Sequence, residues 1–223
     1  MKKQAIVTGA SKGIGYALTN DLLNKGYKII GTSRSGIIED FGNKDFNSLS
    51  LDLSKPSSIN NFVKQIENGE IKIDLLINNA GIGPDLGLDL PEINTYQSTI
   101  DVNVKGTVLL TEKLLSSIVN GGKILNVSSK MGSINHCENF DSVAYRMSKS
   151  ALNMYTKILS NRIQNRISVA AIHPGWVQTT ISKNGANARL TPAESSSRIL
   201  EYLENKFENG DFWDAEDNVK LEW

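Results

Sequence analysis

Tyr145 and Lys149 stand four residues apart, a spacing that puts two side chains on one helix face about a turn from each other. A phenol titrates near pH 10 in water and is a poor base and a sluggish acid at neutral pH. An ammonium within reach favours the phenolate, and moving the phenol into the working range takes roughly 3 units, about 4 kcal/mol. That is a large demand on one lysine, and the positive charge of a bound oxidised cofactor would add to its effect. Ser129 precedes the pair at the end of an apolar run. A hydroxyl there can steady a carbonyl oxygen while the tyrosine exchanges a proton with it. Tyr202 and Lys206 repeat the spacing, but no strand-end serine precedes them; they read as a chance pair on a solvated helix.

A second stretch suited to chemistry is Thr8-Gly9-Ala10-Ser11-Lys12-Gly13-Ile14-Gly15. Ala5-Ile6-Val7 before it reads as a buried strand, and Ile14, Ala17, Leu18 and Leu22 after it recur at helical spacing as far as Gly26. Strand, glycine turn and helix together deliver an anion to a helix N-terminus, where unpaired N–H groups and the positive end of the dipole face it. The spacing Gly-x-x-x-Gly-x-Gly departs from the commoner Gly-x-Gly-x-x-Gly, and an ordinary tight turn remains the alternative.

The elements that must position these residues follow in order. Residues 27–32 read as a second strand, with Ser33 and Arg34 at its end. An acidic residue there would bond the ribose 2′-hydroxyl of NAD; Arg34, with Lys12 as a second positive charge, suits the 2′-phosphate of NADP. The alternative for Arg34 is a solvated loop charge. Phe46 to Leu53 gives a third strand, with Leu49, Leu51 and Leu53 alternating; Asp52, between the last two, serves either an adenine amino group or a turn. A helix starts near Pro56 and closes at Asn68-Gly69, and Ile73 to Ile77 is a strand buried on both faces, running into Asn78-Asn79-Ala80-Gly81. Thr95 to Val119 reads as one long helix closed by Gly121-Gly122; Asn103 and Gly106 are poor helix formers inside it. A strand over 123–129, the Tyr145 helix, a strand over 167–172 ended by His173-Pro174-Gly175, a capping box at Thr191-Pro192-Ala193-Glu194 and an edge strand at 210–213 complete the chain. Alternating strands and helices predict an α/β fold with one doubly wound parallel sheet, helices on both faces and the ligand at the strands' carboxyl ends.

The chain has 223 residues, 24 Lys plus Arg against 24 Asp plus Glu, one cysteine (Cys137) and two histidines. One domain over 1–223 is expected. The charge balance points to no nucleic acid and no membrane surface, and the Cys and His counts argue against a metal site or disulfide. Met1-Lys2-Lys3 is followed by too short an apolar run for a signal peptide, so a cytoplasmic location is expected.

Taken in order, Thr8-Gly9-x-x-x-Gly13-x-Gly15, Asp52, Asn78-Asn79-Ala80-Gly81, Asn103-x-x-Gly106, Ser129, Tyr145-x-x-x-Lys149 and Pro174-Gly175-x-x-x-Thr179 resemble the short-chain dehydrogenase/reductase family over nearly the whole chain. Within it, the stretches at 145–154 and 173–179 and the acidic tail look most like sniffer-type carbonyl reductases and C-factor-like proteins. The resemblance implies a Rossmann-type domain that binds NADP(H). Tyr145 would be the proton donor or acceptor, and Lys149 would bind the nicotinamide ribose and lower the tyrosine pKa. Ser129 would orient the carbonyl, and Asn103 would hold a water that relays protons. Gly9, Ser11, Lys12, Gly13, Ile14, Gly15, Ser33, Arg34, Asp52, Leu53, Asn79, Ala80 and Gly81 would line the cofactor, together with Tyr145 and Lys149; Pro174, Gly175, Val177 and Thr179 would position the carboxamide. A homodimer or tetramer is the family's default.

The activity implied is hydride transfer between nicotinamide and a small or medium carbonyl or alcohol, with Tyr145 as general acid/base. The alternative is a cofactor-binding regulatory or signalling protein of C-factor type with little turnover, against which the intact Ser129, Tyr145 and Lys149 argue. A hydrolase using Ser129, His136 and Asp141 fails for want of a Gly-x-Ser-x-Gly elbow. Two departures from the family pattern, fifteen residues between Ser129 and Tyr145 and a short polar segment over 180–190, leave the substrate open and suggest an open pocket.

Overall fold

Each central strand carries large apolar residues on consecutive positions, so both faces of the sheet must be covered. In the computed structural model, which describes residues 2–39, 41–181 and 185–223, that is the arrangement. The elements are β1 (Gln4–Val7), α1 (Gly13–Asn24), β2 (Lys28–Ser33), β3 (Phe46–Ser50), α2 (Pro56–Asn68), β4 (Ile73–Asn78), α3 (Ile93–Ile100), α4 (Thr107–Leu114), β5 (Ile118–Val127), α5 (Val143–Ile163), β6 (Ile167–His173), α6 (Pro192–Asn205), β7 (Phe212–Asp214) and β8 (Val219–Lys220). The sheet order is β3-β2-β1-β4-β5-β6-β7-β8. Val7, Ile77 and Leu125 pack against α1 and α6 through Leu18, Leu22, Ile199 and Leu203. Their neighbours Ile6, Leu76 and Ile124 pack the other way, on Phe62, Leu110 and Leu159 of α2, α4 and α5. The chain winds outward from β1 to β3 and then returns to β4 on the other side of β1, so a crevice opens where β1 and β4 end.

The fold is the doubly wound α/β sheet read from the sequence, with corrections in its detail. The long helix does not run from Thr95 to Val119. It starts at Ile93, passes through a π turn over Asp101–Gly106, and ends at Leu114 before a 3₁₀ turn. Ile118 already belongs to β5, opposite Ile73, and Gly121-Gly122 lies inside that strand, with Gly121 N donating to Arg166 O at 2.8 Å. The apolar residues that suggested helix are those a strand start also needs. The π turn lets Gly106 come so close to α2's approach segment that any Cβ there would collide with the Leu53 carbonyl oxygen. The third strand stops at Ser50, because Asp52 Oδ1 accepts from Ser54 N and Ser54 Oγ and turns the chain. At the far side β7 is parallel to β6, and the edge is the antiparallel β8, so the sheet is mixed there. Tyr202 is not solvated: it is a fully buried core residue stacked on Trp213.

Among the described residues no helix is long and apolar enough to cross a membrane. Gly106→Ala is expected to lower stability by about 1–3 kcal/mol through overpacking against Leu53, measured by urea unfolding; an unchanged midpoint would show that the helix can shift away from that carbonyl.

Candidate active site

Three chain segments meet where β1 and β4 end. Thr8 Oγ1 accepts from the main-chain N–H of Asn79 and of Ala80, both at 3.0 Å. Asn79 Nδ2 answers by donating to Thr8 O at 2.9 Å and Gly9 O at 3.2 Å. The glycine turn is thereby fixed to the end of β4. Gly9 has φ +68, and a Cβ on Gly15 would collide with the Gly9 carbonyl oxygen, so the turn needs glycine at both places. α1 opens on Lys12 without a side-chain cap, leaving first-turn N–H groups to meet something else. Thr179 comes over this turn from beyond β6, with its Cγ2 3.3 Å from where a Gly13 Cβ would stand.

The next link passes from β4 to the tyrosine helix. The π turn aims Asn103 inward, where Oδ1 accepts from Ile82 N and Nδ2 donates to Ile82 O, each at 2.8 Å. Its Nδ2 also reaches Ser148 Oγ at 3.1 Å, and Ser148 Oγ donates to Tyr145 O. The Asn103 amide is therefore bound to protein on both sides, a structural tie between the Gly81 segment and α5. Asn103 Oδ1 and Lys149 Nζ both lie within 4 Å of where a Cβ of Gly81 would point.

Ser129, Tyr145 and Lys149 come together at the carboxyl end of β5. Ser129 caps a 3₁₀ turn, its hydroxyl accepting from Met131 N at 3.2 Å, and it lies near enough to the Tyr145 phenol to hold its pKa down. Lys149 Nζ donates to Val127 O at 2.8 Å and stands 5.5 Å from the Tyr145 ring centroid. Burial dominates both titrations. It pushes the phenol up to about 12, with Ser129 lowering it and the Asp85 charge raising it, and brings the lysine down to about 8. In this arrangement desolvation outweighs the lowering by Ser129, and the ammonium is turned to a carbonyl.

The remaining candidate residues divide. Gly81, Ala80 and Ile14 are half-buried around the crevice, and Ser11 is exposed in the turn. Leu53 is core, and its carbonyl faces Gly106. Asp52 spends Oδ1 on its own turn and pairs with Lys55 at 3.4 Å. Ser33 ends β2 with its hydroxyl on Ile37 O, and Arg34 is exposed just beyond. Lys12 is exposed, and its Nζ donates to Thr180 Oγ1 at 2.8 Å, beyond β6. Pro174 O accepts from Ser195 Oγ, and Val177 bridges Leu190. Of the segment expected to be short and open, residues 182–184 lie outside the described residues; residues 185–187 form a 3₁₀ turn. Sequence reasoning missed Asp85, whose carboxylate accepts from the N–H groups of Ala144 and Tyr145; its partners are main-chain groups about sixty residues away, which no local pattern reveals.

A model of the short chain dehydrogenase family matches residues 3–189. The chain belongs to the short-chain dehydrogenase/reductase family. It is 32% identical over 190 residues to the 3-oxoacyl-(acyl-carrier-protein) reductase of Buchnera aphidicola, covering 82% of this chain and 77% of that one. Among solved structures it is similar to the carbonyl reductase Sniffer of Drosophila melanogaster, at 28% identity, 100% of both chains and a TM-score of 0.87. A short-chain dehydrogenase/reductase from Burkholderia multivorans with bound NADP superposes with a TM-score of 0.86, at 25% identity and 100% of both chains. Members of this oxidoreductase family thus share the whole architecture on which the buried tyrosine and lysine are mounted.

The lysine gives a test of that burial. Folded Lys149 titrates near 8 and an unfolded lysine near 10.5, so the unfolded chain binds the extra proton between these values. Stability contributed by this group therefore rises with pH across that window, by up to about 3 kcal/mol. Urea unfolding at pH 8 and pH 10 should show the rise in the wild type and its loss in Lys149→Met; parallel curves would mean the ammonium is solvated.

Proposed function

We propose that this protein is an NADP(H)-dependent reductase of small or medium carbonyl compounds, with Tyr145 as the general acid/base. What supports the reading most is the meeting of Ser129, Tyr145 and Lys149 in one buried site beside Gly81. The cofactor fits residues of this chain: the uncapped N-terminus of α1 for the pyrophosphate, Arg34 beyond β2 for a 2′-phosphate, and the cleft under Thr179 and Gly81 for the nicotinamide half. The Burkholderia neighbour with bound NADP and the Sniffer carbonyl reductase support the same choice. Bound there, the cofactor supplies the hydride.

The chain's own residues would do the rest. Ser129 Oγ donates to the substrate oxygen and holds it against the phenol. A phenol that burial keeps protonated is in the form that gives a proton to an oxygen becoming an alkoxide. Lys149, anchored on Val127 O, places positive charge below the ring as the phenolate forms, when the site needs it most. Asn103 keeps the segment after β4 and helix α5 in register; both of its amide hydrogens are spent on protein, and the second lone pair of Oδ1 would be the group left to hold a relay water.

With a panel of aldehydes, ketones and quinones, NADPH oxidation should be measurable and fall by about 10³ or more in Tyr145→Phe, while nucleotide binding persists. In fluorescence titrations NADPH should bind more tightly than NADH, and Arg34→Ala should remove most of the difference. Unchanged turnover in Tyr145→Phe would sink the mechanism, and equal affinities in the wild type the cofactor choice.

A further inference from the structure

Glu216 stands on the corner between β7 and β8, and the roles proposed above leave it unused. Its side chain is 11% exposed, against 58% for that of its neighbour Asp217, so the corner aims it inward. Asp214, buried at the end of β7, shapes that corner: its Oδ1 accepts from Glu216 N at 2.9 Å and from Asp217 N at 3.2 Å, folding the chain into a tight turn. Two further bonds fix the corner to its surroundings. Ala215 N donates to His173 O at 2.9 Å, and Arg198 of α6 donates to Glu216 O.

From this anchored corner the carboxylate reaches the chain that leaves β6. Glu216 Oε2 accepts from Trp176 N at 3.0 Å, and Oε1 accepts from Arg189 Nε. Trp176 O in turn accepts from Leu190 N at 3.0 Å, and Gln178 N donates to Leu190 O at 2.8 Å. Trp176 is therefore held by both of its main-chain polar groups. Gly175 before it has φ +93, and a Cβ there would stand 2.5 Å from Leu190 Cδ1 and 3.2 Å from Glu216 Cβ. The stretch from Gly175 to Thr179 is thus wedged between the corner and Leu190, and its far end, Thr179, lies over Gly13 of the glycine turn.

The bond to Trp176 N is exposed, so water could satisfy that donor in its place. What water could not do is fix where the donor lies. A carboxylate whose own main chain is tied on both sides does that, through a charge-assisted and directional bond. The pair with Arg189, itself 66% exposed, adds little to this grip.

We propose that Glu216 is a positioning residue for the nicotinamide half of the cofactor: its carboxylate fixes Trp176 and so holds Gly175, Val177 and Thr179 at the edge of the crevice. The proposal rests on the reading of NADPH as cofactor, with these residues on its nicotinamide side.

The test compares two ligands by titration calorimetry: NADPH, and adenosine 2′,5′-bisphosphate, which carries the 2′-phosphate but lacks the nicotinamide half. In Glu216→Ala, NADPH should bind about tenfold more weakly while the bisphosphate stays within about twofold of its wild-type affinity. Glu216→Gln keeps an acceptor for Trp176 N and should retain most of the NADPH affinity. Should Glu216→Ala fail to fold, Glu216→Asp, one methylene too short for the same reach, supplies the comparison. Equal weakening of both ligands would be a general effect on the crevice and overturns the proposal. So does an unchanged NADPH affinity in a folded variant, or a Glu216→Gln protein as weak as Glu216→Ala. Wild-type protein that binds neither ligand overturns the cofactor reading itself, and the proposal with it; the other outcomes leave that reading standing.

Discussion

The hydroxyl of Thr8 decides how the two halves of the sheet are joined. The side chain is buried, and the hydroxyl receives the N–H groups of Asn79 and Ala80 just past the end of β4. Both bonds are part-buried, and without the hydroxyl the Ala80 N–H would lose its acceptor, so the ends of β1 and β4 are held at one spacing. Asn79 closes the loop by returning its amide to Thr8 and Gly9. The glycine turn owes its shape to this knot as much as to its own glycines.

From that knot a line of buried polar contacts reaches the tyrosine. Ala80 leads to Ile82, Ile82 to both ends of the Asn103 amide, Asn103 to Ser148, and Ser148 to the carbonyl of Tyr145. A parallel line runs beneath it: Asn78 donates to Thr111 and Asn126, Asn126 to Thr156, and Ser128 to Asn153. Polar groups buried in this number specify one geometry, since any slip leaves several of them unpaired. The nucleotide crevice and the Tyr145 site are rigidly related for this reason, although no single element carries both.

Much of this was legible because strand ends and helix faces write short-range signals. Tyr145, Lys149, Ser129 and Asn103 could each be placed at a strand's carboxyl end or on a helix beside it from spacing alone, and α6 announced itself through a capping box that forms as read. What was not legible depends on distant main-chain groups. The π turn at Asn103 packs on Leu53 and bonds Ile82, neither near it in sequence. The end of the long helix at Leu114 is set by pairing of Ile118 with Ile73. The direction of the Tyr145 pKa could not be read from a neighbouring lysine, because burial of the phenol, a product of the whole fold, is its largest cause.

The central claim is that the carboxyl ends of β1, β4, β5 and β6 form one nucleotide-binding crevice reaching to Tyr145. Hydrogen exchange followed by mass spectrometry, with and without NADPH, tests it most directly. The account predicts slowed exchange confined to peptides covering 8–16, 32–36, 78–83, 127–132, 143–150 and 173–181, with α2 and the β7–β8 edge unchanged. Protection elsewhere, or none at saturating nucleotide, would contradict it.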